Sequence, residues 1–538
     1  MWKLTVFLCC VWALSLLYGE MVAFWLPSMW TCSWPQLRRA SSSQMMGEEA
    51  YLDDFVKVAV ITDPQLMDKT SLGLAPKSLA LEIAQFYTDL YMRRSYFASI
   101  LPFKPDVILF LGDYFDGGPV LSDEEWQESL SRFRHIFKLN HQRKTSDTPV
   151  YFLSGNHDVG YASLYSRSPE VMRRYESEFG ARNYHFTVGE IEFIAVDAQT
   201  LDGPLHRNFT FTSWNFVKNI STDARLNPKV LLTHIPLYRP DWTSCGPHRS
   251  SPIINQRVSH AAYDKEIIYQ NYLSEETSNH LLDLVKPVLV LSGHDHDQCT
   301  VTHLRKFGPV TEHTVGTVSW QQGNLYPSFM LLSVSKLSFS NRTDLEDAVS
   351  TQLCFLPMQT HIYIWYLSLF VITILVLLLR PANGFGYWNH FSRFVGTIRR
   401  AISENIFRGG QKEKDEDEIC EYETIWDAEG SMHLIKKASN VSFTGSSDTQ
   451  LVGRGNAVVR SVMKKQISRD TNASFAVEMN ADVRLDGTGK FPQRSTSKFR
   501  TMVIRRLFRT FQMLTVIAAL NVPLYMMLLF KDWIDHSY

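Results

Sequence analysis

The chain has 538 residues, 54 basic and 55 acidic side chains, a net charge of −1 and a hydrophobic content of 45%. That length accommodates one large domain plus further segments. The balanced charge excludes any case for nucleic acid or an anionic surface from bulk composition alone, so the information lies in how the residues are distributed.

An apolar run opens the chain, from about Leu4 to Leu26, interrupted by Glu20. Its only positive residue is Lys3, and the end of the run, Ser15 to Gly19, lacks the small-x-small pattern of a cleavage site. Residues 1–27 are therefore expected to be an N-terminal signal anchor or transmembrane helix, the alternative being a cleaved signal peptide. Residues 28–55, rich in Ser and Met, read as a linker. From Val56 the pattern becomes short β-branched and leucine-rich runs alternating with amphipathic stretches. Strands are predicted at Val56–Thr62, Val107–Leu111, Val150–Ser154, Ile191–Val196, Val230–Thr233 and Val288–Ser292. Lys77–Leu101 has helical spacing, and Ser122-Asp123-Glu124-Glu125 is a capping-box start for another helix. Strands alternating with helices predict an α/β domain, placed at residues 56–350.

Two further apolar runs follow, Ile362–Leu379 and Phe511–Phe530. A bilayer core takes roughly 20 helical residues, so both qualify as transmembrane helices, assigned to residues 361–380 and 510–530. Their length and apolarity weigh against buried core helices. Residues 381–509 carry a mixed charge run, Lys412–Glu418, and are then rich in Ser, Thr, Asn and Gly, which predicts a largely disordered loop. Arg380, Arg393, Arg399 and Arg400 follow the second span, and Lys498, Arg500, Arg505, Arg506 and Arg509 precede the third. The positive-inside rule then puts 381–509 in the cytosol, with the α/β domain and the tail 531–538 on the lumenal side. The sequons at Asn208, Asn219 and Asn341 agree with this; those at Asn440 and Asn472 fall in the supposed cytosolic loop. Cys32, Cys245, Cys299 and Cys354 lie in the lumenal part, where disulfides form, but four cysteines allow three pairings.

Five short motifs each follow a predicted strand: Thr62-Asp63-Pro64-Gln65, Gly112-Asp113-Tyr114-Phe115-Asp116-Gly117, Gly155-Asn156-His157-Asp158, Thr233-His234 and Gly293-His294-Asp295-His296. Each alone is weak, because an Asp after a strand is usually a turn former and a lone His is usually a satisfied core residue. Together they place carboxylates, imidazoles and amides at the carboxyl ends of strands, where open α/β sheets build their sites. That donor set suits a divalent metal with mixed oxygen and nitrogen ligands.

The order of these motifs resembles the calcineurin-like metallophosphoesterase superfamily over roughly residues 56–334. Asp63-Pro64-Gln65, Pro236–Arg239, Cys245-Gly246-Pro247, Tyr269-Gln270-Asn271, His294–Cys299 and Trp320–Gly323 resemble the branch in the endoplasmic reticulum that removes ethanolamine phosphate from glycosylphosphatidylinositol (GPI) anchors. The resemblance implies an α/β fold, a metallophosphoesterase β-sandwich flanked by helices, here with transmembrane helices added. It implies two divalent metal ions, Mn²⁺ being favoured by the ligand mixture. Asp113 would bridge them. Asp63, Gln65 and His296 would complete one metal, and Asn156, His234 and His294 the other. His157 would be the proton donor, oriented by Asp116. Two cations about 3.5–4 Å apart need a shared anionic ligand, which a carboxylate supplies.

Three departures stand out. Gln65 replaces the His of the wider superfamily and coordinates, if at all, through an uncharged carbonyl. Gly118 stands where the protein phosphatases of the superfamily have an Arg that clamps a phosphate dianion. Related enzymes often end soon after one C-terminal span with a lysine-based retrieval signal, whereas this chain adds a loop and a further span and ends at Tyr538. The expected protein is a multi-pass enzyme of the endoplasmic reticulum membrane, or of the Golgi, that removes ethanolamine phosphate from the anchors of GPI-anchored proteins. The alternatives are the same hydrolysis on another lumenal phosphodiester, and an inactive membrane scaffold or cargo adaptor. A scaffold has no reason to keep a coordinating side chain at every ligand position.

Overall fold

The computed structural model describes residues 2–37, 55–139, 144–145, 148–161, 168–204, 208–222, 227–249, 251–254, 258–260, 267–336, 348–379, 422–426, 432–436 and 496–534. Asn341, Asn440, Asn472 and most of the expected loop lie outside the described residues. The chain divides into two compact units, residues 1–380 with 504–538, and residues 381–503. Within the second, Tyr422–Trp426 pairs antiparallel with Met432–Lys436.

Among the described residues, fourteen strands belong to the first unit: β1 (Phe55–Ile61), β2 (Val107–Phe110), β3 (Lys144–Thr145), β4 (Thr148–Phe152), β5 (Tyr184–Val188), β6 (Ile191–Val196), β7 (Lys229–Thr233), β8 (Val258–His260), β9 (Ile267–Gln270), β10 (Leu289–Ser292), β11 (Cys299–Arg305), β12 (Gly308–Thr314), β13 (Ser328–Ser335) and β14 (Val349–Phe355). One sheet runs β14-β13-β1-β2-β4-β3 and the other β11-β12-β10-β7-β6-β5, while β8 and β9 form a separate ribbon. In each sheet the central strands are parallel, β1 with β2 and β4, and β6 with β7, β10 and β12. Antiparallel strands close both edges.

Period-two alternation makes this a sandwich. Val58 and Val60 of β1, Leu109 of β2 and Leu332 of β13 share one core with Phe193, Val230 and Leu291 of the opposite sheet. Their sequence neighbours Ala59, Ile61, Ile108, Phe110 and Leu331 point the other way, into a core covered by the helices Leu79–Arg94, Asp123–Phe137 and Pro169–Phe179. On the second sheet, Ile194, Leu231 and Val290 pack under the helices Asn208–Thr222 and Glu275–Val285. Strands buried on both faces read as continuous apolar runs, which is why their sequence windows were conspicuous. The expected capping box is present, with Ser122 Oγ accepting from Glu125 N and Glu125 Oε2 accepting from Ser122 N.

Among the described residues, three helices are long and apolar enough to cross a membrane: Trp2–Thr31, Gln359–Leu379 and Arg500–Trp533. The first and third extend past their apolar runs. Pro27 is accommodated in a closing π-turn, and the basic residues from Arg500 onward continue the third helix without a break. Cys32, just past the first, is bonded to Cys354 of β14. The other disulfide joins Cys245 to Cys299. Buried arginines tie the helices to the domain, and Arg93 Nε donates to Asp532 O at 2.6 Å. Arg94 pairs with Glu20 of the first apolar helix and with Asp532 in the last turn of the third, and its Nη2 donates to Leu528 O at 2.8 Å. Tyr366 of the second donates to Glu20 Oε1 at 3.0 Å.

Candidate metal centre

The loops leaving the carboxyl ends of β1, β2, β4, β7 and β10 converge on one point and carry all nine residues singled out in the sequence. Asp113 is at the middle, fully buried. Its Oδ2 accepts from Gln65 Nε2 at 3.1 Å and lies 3.2 Å from His234 Nε2, while Oδ1 accepts from His157 N at 2.8 Å. Two overlapping groups result: Asp113, His234 and His294 have ligand atoms within 4.8 Å of one another, and so do Asp63, Asp113 and His296. Asn156 Oδ1 joins the first at 3.2 Å from His234 Nε2, and Gln65 joins the second. Coordination by Gln65 Oε1 requires only a flip of the amide, which exchanges O for N.

Backbone geometry aims these side chains. Asp63, Gln65, Asp113, His294 and His296 have φ of 49°, 37°, 56°, 66° and 60°. Such left-handed conformations cost about 1–3 kcal/mol each in a non-glycine residue and persist only where the surroundings enforce them. The flanking glycines are needed for space. A Cβ on Gly112, itself at φ 104°, would meet His234 Nδ1 at 2.6 Å, and one on Gly155 would meet Asp113 Oδ1 at 2.1 Å.

Hydrogen bonds fix the imidazole tautomers. His234 Nδ1 donates to Leu111 O at 2.7 Å, so in the neutral ring Nε2 is a lone pair facing two oxygen acceptors. His294 Nε2 donates to Gln270 O at 2.9 Å, which leaves Nδ1 as its acceptor. His296 Nε2 is buried with no hydrogen-bond partner, 3.8 Å from Asp63 Oδ1. Converging lone pairs and an orphaned buried nitrogen beside two carboxylates make a donor set that fits divalent metals.

The electrostatics agree. Burial raises the Asp113 carboxyl, but His234, His157 and His294 more than cancel this and hold it below the usual range. Burial lowers His234, yet Asp113 and Asp63 overcome it and push the ring up to about 9, so the site attracts positive charge at Nε2. Burial and the neighbouring His234 pull His294 down to about 3, which keeps it a neutral donor.

His157 stands at the rim, its side chain 36% exposed. Its Nδ1 donates to Asp116 O and lies 3.8 Å from Asp116 Oδ1, so Nε2 is free to carry a proton outward. Burial lowers its pKa, but Asp113 and Asp116 raise it above the ordinary value. Asp116 is itself held by Ser71 Oγ at 2.5 Å.

Asp158 belongs to the same motif but was not among the residues singled out. Its buried carboxylate accepts from Asp113 N at 2.8 Å, Tyr114 N at 2.8 Å and Gly155 N at 2.9 Å, locking the β2 and β4 loops together. An acid at the third position of the helical turn Asn156–Val159 was the available signal. Thr317 Oγ1, donating to Asp63 O at 2.6 Å, carried no such signal.

A buried carboxylate shared by two sets of nitrogen and oxygen donors, with an imidazole at the rim, fits a metal-dependent phosphoester hydrolase. Residues 56–298 match the family described as calcineurin-like phosphoesterase, and the chain carries a calcineurin-like metallophosphoesterase domain. It is 29% identical over 328 residues to Cell division control protein 1 of Saccharomyces cerevisiae, covering 57% of this chain but only 63% of that protein's length. It is 27% identical to the Metallophosphoesterase 1 homolog of Drosophila melanogaster, over 64% of this chain and 85% of the relative. Metallophosphoesterase 1 of Pongo abelii is 27% identical over 65% and 83% respectively. Among solved structures, a phosphopantetheinyl hydrolase from Mycobacterium tuberculosis aligns at 13% identity over 49% of this chain and 90% of its own, with a TM-score of 0.27.

Proposed function

We propose that the protein is a phosphodiesterase that removes ethanolamine phosphate from the GPI-anchor glycan, working in the endoplasmic reticulum membrane or the Golgi with its catalytic domain lumenal. The observation that carries the diester reading is the backbone at Gly118. A Cβ there would meet His157 O at 2.4 Å, so no side chain projects at this position. Nearby Arg174 is occupied, donating to Leu121 O at 2.9 Å and to Gly118 O. A phosphate dianion therefore gains no guanidinium clamp from either residue, and a diester, with less charge at phosphorus, is the better match. The GPI substrate itself rests on the motif resemblance around Asp63-Pro64-Gln65 and Tyr269-Gln270-Asn271.

In this reading Asp113 would be shared by two metals, Asp63, Gln65 and His296 would help hold one, and Asn156, His234 and His294 the other. Manganese suits this mixture of carboxylate, amide and imidazole. Bound divalent ions supply Lewis-acid stabilisation of the phosphoryl oxygens and lower the pKa of water at the site. The chain's own residues do the rest. Asp158 holds the backbone of Asp113 and Gly155 in place. His157, kept in one tautomer by Asp116 O, delivers the proton from Nε2 to the departing alkoxide. Lumenal placement is supported by the two disulfides, Cys32–Cys354 and Cys245–Cys299, which form in an oxidising compartment.

The test is the mass of the GPI-anchor glycan in cells lacking the protein, with wild type or Asp113→Asn restored. Anchors retaining an extra ethanolamine phosphate without the protein and with Asp113→Asn, but not with wild type, are expected. Unchanged glycan mass would remove the substrate assignment and leave the phosphoesterase.

A further inference from the structure

A cavity of about 710 Å³ lies where the catalytic domain meets two of the apolar helices. Its collar is aromatic: Tyr87 from the helix Leu79–Arg94, Trp320 from the loop after β12, Tyr363 from the second apolar helix and Tyr525 from the third. Trp320 and Tyr363 rings meet edge to face at 5.6 Å, and Tyr525 OH donates to Tyr87 OH at 3.2 Å. The size falls within the range of about 300–1,000 Å³ typical of ligand pockets.

The cavity adjoins the metal centre. Gln321 lines it and donates to Gln65 O at 3.4 Å, and Met67, two residues past Gln65, forms part of the wall. Several of its polar side chains are engaged with one another or with backbone, while Trp320 Nε1 is buried without a partner. Asn324 Nδ2 donates to His296 O and Tyr326 O, Gln321 is turned to Gln65, and the Tyr87 and Tyr525 hydroxyls meet each other. A glycan needs many free donors and acceptors, whereas a hydrocarbon chain needs none.

The mouth is apolar and exposed. Leu72 and Leu325 line the cavity, yet are 65% and 52% exposed. Leu72 is held outward at φ 59°, a conformation an apolar side chain has no intrinsic reason to adopt. Leu79 and Ile83, one turn apart on the helix that supplies Ala84 and Tyr87, are 72% and 48% exposed. Exposed apolar side chains beside apolar helices of membrane-spanning length suit contact with lipid.

We propose that this cavity is a lipid-chain site, which seats an acyl chain of a bilayer lipid between the second and third apolar helices and the loops that carry the metal centre. The proposal rests on the membrane-embedded reading of those helices and does not depend on which phosphoester is cleaved. A lipid-tethered phosphoester would then reach the metals from the bilayer side, with its anchor already bound.

The test uses the full chain in phosphatidylcholine vesicles containing a small fraction of phosphatidylcholine with a diazirine near the end of one acyl chain. After irradiation, labelled peptides are mapped. Labelling of residues 84–88 and 320–325, in addition to outward positions such as Phe370 and Leu375, is expected. Ala84→Trp, which fills the cavity, should bring labelling of 320–325 to background while Phe370 and Leu375 stay labelled. Thr360→Trp repeats the test from the spanning-helix side if Ala84→Trp does not fold. Labelling confined to outward positions would overturn the proposal, as would labelling of 320–325 that persists in both filled variants. Failure to label Phe370 and Leu375 at all would instead overturn the membrane reading beneath it.

Discussion

Arg94 Nε lies 2.9 Å from Asp532 Oδ2, joining a helix of the catalytic domain to the last turn of an apolar helix 438 residues later. The same guanidinium pairs with Glu20, which is 2% exposed. Arg94→Ala leaves the Glu20 carboxylate buried without its cation, and breaking such a pair by removing one partner costs about 3–5 kcal/mol. The unfolding midpoint of the purified full chain in detergent should fall markedly. Arg94→Lys should fall between, since it keeps the charge but not the fork of donors. Asp532→Asn, at a more exposed carboxylate, should cost less than either. A wild-type midpoint for Arg94→Ala would show that the node holds nothing.

At the metal centre, Asp113→Asn removes the anion shared by both donor sets and should leave less than the full metal content, read by elemental analysis, with turnover lost. Two metals and wild-type turnover in that variant would falsify the bridging role. His157→Ala should retain its metals and lose roughly 10²–10⁴-fold on a poor leaving group. On a nitrophenyl ester, whose leaving group needs no proton, the loss should shrink. An equal loss on both substrates argues against proton donation by His157.

Specificity at phosphorus follows from the bare backbone at Gly118. Steady-state kinetics on a matched pair, bis-nitrophenyl phosphate and nitrophenyl phosphate, should give the diester the higher kcat/KM. A clear monoester preference removes the inference from Gly118 and shifts attention to another cation as the phosphate clamp.

Away from the site, His313 sits between Thr300 Oγ1 at 2.9 Å and Thr351 Oγ1 at 3.1 Å, and burial pulls its pKa down to about 4 against the raising effect of Glu312. The folded ring is therefore neutral over a range where the unfolded chain, with an ordinary pKa of about 6.5, takes up a proton. Stability from this group is intact above about pH 6.5, declines as pH falls toward about 4, and levels off below. Denaturant midpoints of wild type and His313→Gln, compared at about pH 7 and about pH 5, should move toward each other as pH falls. A constant difference between the two proteins means that His313 does not titrate as described.

Topology is open to a glycan test. Asn208 and Asn219 are exposed on the helix Asn208–Thr222 and should carry glycan if the catalytic domain is lumenal. A glycosidase-sensitive mass shift that disappears on changing Asn208, Asn219 and Asn341 is expected. Glycan on Asn440 or Asn472 would invert the orientation, put the metal centre in the cytosol, and remove the GPI substrate with it.

Much of the domain was legible because its information is local. Six strands announced themselves as apolar runs, since strands buried on both faces have no polar alternation to confuse them. Their loops follow within one to five residues, so each donor motif could be attached to a strand end without knowing the fold. Less was visible at the edges. β11 and β12 alternate exposed and buried residues, β8 is wholly exposed, and neither pattern stands out from loop sequence.

The residue types and spacing of the five motifs by themselves determined that carboxylates, imidazoles and amides would be delivered to strand ends, because a loop of a few residues cannot carry its side chains far from the strand it leaves. Only the tertiary structure decided which of them meet. The Asp113–His234 contact spans two sheets, and Asp158 reaches across from the β4 loop to the backbone N–H groups of Asp113 and Tyr114. It also selected Cys32–Cys354 and Cys245–Cys299 from the three pairings, and brought Glu20, Arg94 and Asp532 together. Each is a contact between residues far apart in the chain, fixed by how the two sheets and the helices pack around shared apolar cores, and no local periodicity encodes it.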